Sequence, residues 1–389
     1  MNKKLLLSIT GGLVLYLFSG AASYAIFNYF KTPVKITTTE TTDNSTSGSG
    51  FNIDPQAPKT EECPINGAMR TKKERELWEK RRPLGIMVEN HEESRPQSGL
   101  SDADIIYEAV AEGGITRFLL VYYCGNAETV GPVRSARTYF IDYISEYGDQ
   151  PLYTHVGGAN TPGPANALGQ IEDYGWVGKN DLNQFSIGFP TFWRDYERLG
   201  KPVATEHTVY SATQKLWAIG EKRGLTNVDE NDNKWDEKFE KWTFKEDIAP
   251  ASRPASGGAS FVFWKGYDQY GVRWVYDPKT NEYKRFNGGV PHLDRNNNKQ
   301  LSAKNIILVF TDEENANDGY ENNAHLLYGT TGKGKAVILQ DGVVTEGQWS
   351  KKNRLSRMKF YNADGEEIKL NKGQTWIEVL AIGTPVNYQ

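Results

Sequence analysis

The apolar and polar positions divide the chain into stretches of different character. From Leu5 to about Phe30 the residues are apolar and carry no charge. A helix of that length crosses a bilayer core of roughly 30 Å, which predicts one membrane anchor within residues 1–30. Residues 31–62 are rich in Thr, Ser, Gly and Pro and have little to bury, so they predict a flexible tether. Further on, apolar runs at Leu84–Val88, Ile105–Tyr107 and Phe118–Tyr123 have the length of buried strands. Thr71–Lys80 reads as a short charged helix. Thr138–Tyr147 has helical spacing, with Phe140, Ile141, Ile144 and Tyr147 on one side. Val156 to Gly188 is Gly- and Asn-rich, which argues against a regular element over most of its length, and a helix is expected at Ala212–Gly220.

The pattern changes after a charged passage at 221–257, expected to be a linker. Short apolar runs follow at Phe261–Phe263, Val272–Tyr276, Tyr283–Phe286, Asn305–Phe310, Ala336–Leu339, Arg357–Tyr361 and Trp376–Leu380. Turn residues such as Asn287-Gly288-Gly289 and Asp341-Gly342 separate them, as in a mostly antiparallel sheet. The fold class is therefore α+β. A layered sheet and helix domain is expected over 63–220 and a β-rich domain over 258–389.

Composition narrows the function. The chain has 389 residues, 38% hydrophobic and 24% charged, enough for two globular domains. A net charge of -4, without a dense Lys/Arg run, argues against nucleic acid as a partner. Lys3 and Lys4 predict a cytoplasmic N-terminus with the bulk of the chain on the outer side, single-pass and extracytoplasmic. Cleavage after Ser23-Tyr24-Ala25, giving a secreted protein, is the competing outcome. Phe18-Ser19-Gly20-Ala21 resembles a lipoprotein processing site, but Ala21 stands where the lipidated cysteine is required. Cys63 and Cys124 are either bridged or two separate thiols. Their number and spacing do not suit a zinc site.

Three groups of residues carry candidate chemistry. Arg95, Arg117, Arg134 and Arg137 lie in or beside Gly-, Ser- and Pro-rich turns, and Arg134 and Arg137 flank Ser135 at a predicted helix start. Convergent arginines there would bind phosphate or carboxylate, whereas in the plain structural alternative each pairs with a nearby carboxylate. Glu108 and Glu112, four apart, suit an acid and base or the holding of a divalent cation, whereas the plain structural alternative, which is preferred, is a sheet-edge carboxylate paired with an arginine. His91, His155 and His207 fall beside predicted element ends, where a metal ligand or base would sit, although structural histidines do the same. No cofactor is predicted. No GxSxG motif appears, and Gly332-Lys333-Gly334-Lys335 reads as a hairpin turn rather than a phosphate loop. Trp264, Trp274, Trp349 and Trp376 are expected in the core.

Longer motifs add a resemblance. ENHEESRPQSGL at 89–100, SDADIIYEAVAEGGITRFL at 101–119 and GPVRSAR at 131–137 resemble the YerB-like family of bacterial envelope proteins. In the second half, WVYDPKTNEYKRFNGGVPHLD, GKGKAVILQDGVVTEGQWSK and LNKGQTWIEVL are similar to that family's C-terminal domain. The resemblance implies a layered α+β first domain, a β-rich second domain and placement in the envelope. It implies no activity. Two functions remain: a module binding an anionic cell-wall or lipid-phosphate ligand or an envelope protein, and an envelope enzyme acting on phosphate-linked glycans or lipid-linked precursors.

Overall fold

A computed structural model describes residue 54 and residues 56–389. The anchor expected at 1–30, and the tether apart from its last residues, lie outside the described residues. Among the described residues no helix is long and apolar enough to cross a membrane. Lys59–Glu62, expected to be tether, is instead a strand paired antiparallel with Met69–Thr71. Helix α1 (Lys72–Trp78) follows at once. Thr71 caps it, and its side chain and that of Glu74 satisfy each other's backbone N–H.

The first half supplies strands β1 (Leu84–Glu89), β2 (Ile105–Glu112), β3 (Ile115–Tyr122), β4 (Leu152–His155) and β5 (Asp181–Asn183). The second half supplies β6 (Gly258–Phe261), β7 (Val272–Asp277), β8 (Glu282–Asn287), β9 (Asn305–Thr311), β10 (Gly332–Gln340), β11 (Val343–Lys351), β12 (Lys359–Tyr361), β13 (Thr375–Ala381) and β14 (Val386–Tyr388). A ten-stranded sheet runs β12-β11-β10-β9-β13-β2-β3-β1-β4-β5, so both halves of the sequence share it. The junction is the parallel pair β13 and β2, in which Glu378 lies opposite Glu108. Strands β1 and β9 are buried along their whole length, as expected where both faces of a sheet are covered. The second sheet places β8, β7, β6 and β14 side by side. Strand β7 alternates buried and half-buried positions and so turns one face inward.

Several boundaries differ from the sequence reading. Helix α2 covers Thr138–Ile144 and stops before Tyr147. The Gly-rich passage contains α3 (Ala167–Asp173), β5 and the single turn α4 (Gln184–Ile187), while α5 covers Thr213–Lys222. Residues 221–257 are held down by buried aromatics. Trp235 packs on Tyr123 at 4.8 Å, Trp242 donates to the Met358 carbonyl at 2.7 Å, and Phe244–Lys245 pairs with Leu370–Asn371. The charges of that passage concealed these anchors. Gly332–Lys335 begins β10 and is not a turn; β13 is paired in parallel on both sides, while the second half is otherwise mostly antiparallel, as expected. Trp274, Trp349 and Trp376 are core residues, and Trp264 is partly buried at the edge of the core. Cys63 and Cys124 are joined in a disulfide with their Cα atoms 6.1 Å apart.

Candidate functional site

The arginines singled out by sequence do not form an open pocket; each is held from within. Arg117, fully buried on β3, reaches Glu112 at 3.1 Å and donates to the Ser135 carbonyl at 3.2 Å. Arg137 pairs with the other oxygen of Glu112. Arg134 lies 3.1 Å from Glu89, the last residue of β1. Arg95 spans loops of the two halves, donating to Asn90 at 3.0 and 2.9 Å and to the Gln269 carbonyl at 2.8 Å. Burial pulls the Arg95 guanidinium down to about 10, and lowers those of Arg117, Arg134 and Arg137 as well. The geometry at this turn is that of ion pairs, and Ser135 enters it through its carbonyl.

Glu108 and Glu112 are not brought together. Glu112 serves Arg117 and Arg137 at the end of β2, while Glu108 lies in a fully buried knot across the β2–β13 junction. Its Oε1 accepts from Thr116 at 2.6 Å and Asn90 at 3.1 Å, and its Oε2 pairs with Arg285. Arg285 also donates to His292 Nδ1 at 2.5 Å, and His292 Nε2–H donates to Gln97 at 2.7 Å. That arrangement requires a neutral imidazole. Burial and the adjacent guanidinium accordingly hold His292 well below the usual histidine range. Glu378 accepts from Trp274 at 2.9 Å and lies 4.0 Å from Arg285. Burial and the neighbouring Glu108 raise it well above the usual carboxylate range. This knot fastens the two halves together. It is sealed from solvent.

The histidines divide. His155 is buried at the end of β4, 2.6 Å from both Asp181 and the Gly157 carbonyl, which is a structural position. His91 and His207 come together, their rings stacked at 4.9 Å and 15°. His207 Nδ1 lies 2.6 Å from Glu89, and its Nε2 lies 3.5 Å from Glu93. The Glu89 carboxylate raises the His207 imidazole above its ordinary range.

A cavity of about 500 Å³ opens in the second half, within the usual range for small-molecule sites of about 300–1,000 Å³. Phe310, Asp312, Lys333, Trp349, Thr384 and Tyr388 are among its lining residues. A Cβ on Gly334 would lie 2.4 Å from Trp349 Nε1, so only glycine lets the indole cross β10 and donate to the Phe310 carbonyl at 2.9 Å. Lys335 pairs with Glu346 at 2.9 Å. The ammonium of the exposed Lys333 has no hydrogen-bond or ion-pair partner among the described residues, nor does the exposed Asp312 carboxylate. Sequence reasoning stopped at Gly332–Lys335 as a turn. The cavity walls come from β9, β10, β11 and the chain after β13, and no local motif joins them.

Comparison with known proteins agrees with this architecture. Residues 67–226 match the N-terminal domain, and residues 261–377 the C-terminal domain, of a family described as proteins of unknown function, DUF3048. The chain is 31% identical over 330 residues to a Bacillus subtilis protein named "Putative lipoprotein YerB", covering 84% of this chain and 88% of that one. The crystal structure of the YerB protein from Bacillus subtilis superposes with a TM-score of 0.67 at 25% identity, covering 85% of this chain and 99% of that one.

Proposed function

Since the chain belongs to this YerB-like family of two domains of unknown function, we propose that it is an extracytoplasmic binding protein. In this reading it is attached to the membrane through its N-terminal segment and takes an anionic, hydroxyl-rich envelope ligand in the cavity beside β10. The carrying observation is Lys333, whose ammonium has no partner among the described residues, at a cavity walled by Trp349 and Tyr388. Arg95, Arg117, Arg134 and Arg137 are occupied by internal partners, so a ligand anion would have to break an existing pair there. At Lys333 it would break none. The exposed Tyr388 ring suits the apolar face of a sugar or polyol unit, and the Asp312 carboxylate can accept from its hydroxyls. Two features support the outer location: the Cys63–Cys124 disulfide, a bond that persists in oxidising compartments, and the lipoprotein name of the relative.

Calorimetry of the full chain in detergent, against anionic wall-polymer fragments and neutral glycans of equal length, tests this reading. The anionic fragments should bind more tightly, with an advantage that shrinks as salt rises. Lys333→Ala should weaken binding about tenfold, the value of one charge-assisted hydrogen bond, and Arg134→Ala should leave it unchanged. Equal binding of neutral fragments, or loss with Arg134→Ala alone, overturns the proposal. Shortened fragments after incubation would instead favour the enzyme reading.

A further inference from the structure

On the far side of the sequence from that cavity, His207 and Glu93 pose an electrostatic problem that a bound cation would solve. The Nδ1 of His207 lies 2.6 Å from Glu89 Oε2, so Nδ1 carries a proton and donates it. In a neutral imidazole the Nε2 lone pair is then bare. It lies 3.5 Å from Glu93 Oε2, another electron-pair donor. Two donors at that separation repel unless a positive species lies between them. The ring of His91 is stacked on that of His207, and ligating atoms of His91, Glu93 and His207 all lie within 4.8 Å of one another.

We propose that His91, Glu93 and His207 form a binding site for a first-row transition cation of the Zn²⁺ type, with Glu89 orienting His207 from behind. The donor set decides the class: two imidazoles and one carboxylate suit Zn²⁺ and its neighbours, whereas Mg²⁺ and Ca²⁺ prefer all-oxygen shells. Bond lengths of about 2.1 Å at a tetrahedral centre place two ligands roughly 3.4 Å apart, close to the His207–Glu93 separation. The Glu89 contact matches the outer partner that ligating histidines commonly have, a carboxylate on the second ring nitrogen that fixes the tautomer. Charge agrees as well. Glu89, Glu93 and the exposed Glu206 face the two histidines, and Arg134 is the guanidinium paired with Glu89. Glu93 is exposed and His91 partly so, which leaves a route in for the ion and solvent for a fourth position.

A proton on Nε2 would also resolve the repulsion, and the test separates the two. The full chain, untagged and in detergent, is stripped with chelator and titrated with Zn²⁺ against a chromophoric competitor at pH 7.5. The disulfide leaves no free thiol to confuse the titration. The expected result is one Zn²⁺ per chain. Glu93→Gln, at an exposed carboxylate that folding does not need, should weaken it at least tenfold, His207→Gln more, and Glu89→Gln about 10–100-fold as an outer partner does. Co²⁺ in place of Zn²⁺ should show visible ligand-field absorption that Glu93→Gln abolishes. Lys333→Ala should change none of this, so failure here is distinct from failure of the cavity reading. No stoichiometric Zn²⁺, or binding indifferent to Glu93→Gln, overturns the proposal and leaves His207 as an imidazolium between two carboxylates.

Discussion

Replacing Arg285 by methionine tests whether the buried knot is what holds the two halves together. Arg285, Glu108 and Glu378 are all sealed from solvent, and the guanidinium is the only cation in contact with either carboxyl group among the described residues. Arg285→Met keeps most of the side-chain volume but removes the ion pair to Glu108 and the hydrogen bond to His292. Breaking one side of a buried pair costs about 3–5 kcal/mol, because the remaining charge has nowhere to go. A typical domain has only about 5–15 kcal/mol in all, so the loss should be unmistakable. Urea unfolding followed by tryptophan fluorescence at pH 7 measures it. The sign with pH follows from the carboxyl groups. A buried carboxylate that has lost its cation can shed its charge only by taking up a proton, so the cost of the variant grows as protons become scarcer. The penalty should therefore be larger at pH 8 than at pH 5. Glu108→Met combined with Arg285→Met removes both charges and should recover most of the loss, since a buried pair is often replaceable by apolar groups. A single variant within about 1 kcal/mol of the parent, or a penalty that ignores pH, would refute the reasoning.

Two other perturbations follow from the same physics. Burial and the neighbouring Asp294 push the Asp102 carboxyl up to about 7. The stability linked to its proton is fully present below about pH 4 and is lost as pH climbs to about 7. Asp102→Asn should match the parent at pH 4 and exceed it at pH 8 by up to about 4 kcal/mol; denaturation curves showing no gain at pH 8 would exclude this. The Cys63–Cys124 bridge closes a sequence separation of 61 residues, worth about 4 kcal/mol in the chain-entropy model. The paired Cys63→Ser and Cys124→Ser variant should lose roughly that much stability, and an unchanged urea midpoint would show that the bridge carries no weight.

What was legible in the sequence follows the range of the forces involved. Apolar runs such as Leu84–Val88 and Asn305–Phe310 revealed strands, because a strand buried on both faces must be continuously apolar. The ends of helices and the anchors of the 221–257 passage were hidden, since Trp235 and Trp242 are isolated apolar residues among charges and their partners are distant in sequence. The pairing of β13 with β2 had no local sign, because parallel strands need no turn between them. That one pairing explains the fate of Glu108. Read alone, it was either half of an acid and base pair with Glu112 or the partner of an unnamed arginine; placed opposite Glu378, it is the counter-ion of Arg285.

The arginines of GPVRSAR and the histidines show the same limit from the other side. Residue type marked them as chemically capable, but whether a charge is free or already paired depends on neighbours brought in by the fold. Arg134, Arg137 and Arg117 met Glu89 and Glu112, and their charge is used in packing. Lys333, read as part of a turn, met no carboxylate among the described residues. His155 met Asp181 and a carbonyl and is satisfied, whereas His207 met one carboxylate on each ring nitrogen and is not satisfied by a single proton. The useful distinction between a structural and a functional polar group is therefore the residual: the donor or acceptor left over after every internal partner is counted. On that reasoning the cavity lysine and the His91–Glu93–His207 cluster are the two places proposed for binding, and the titrations of Lys333→Ala and Glu93→Gln decide each.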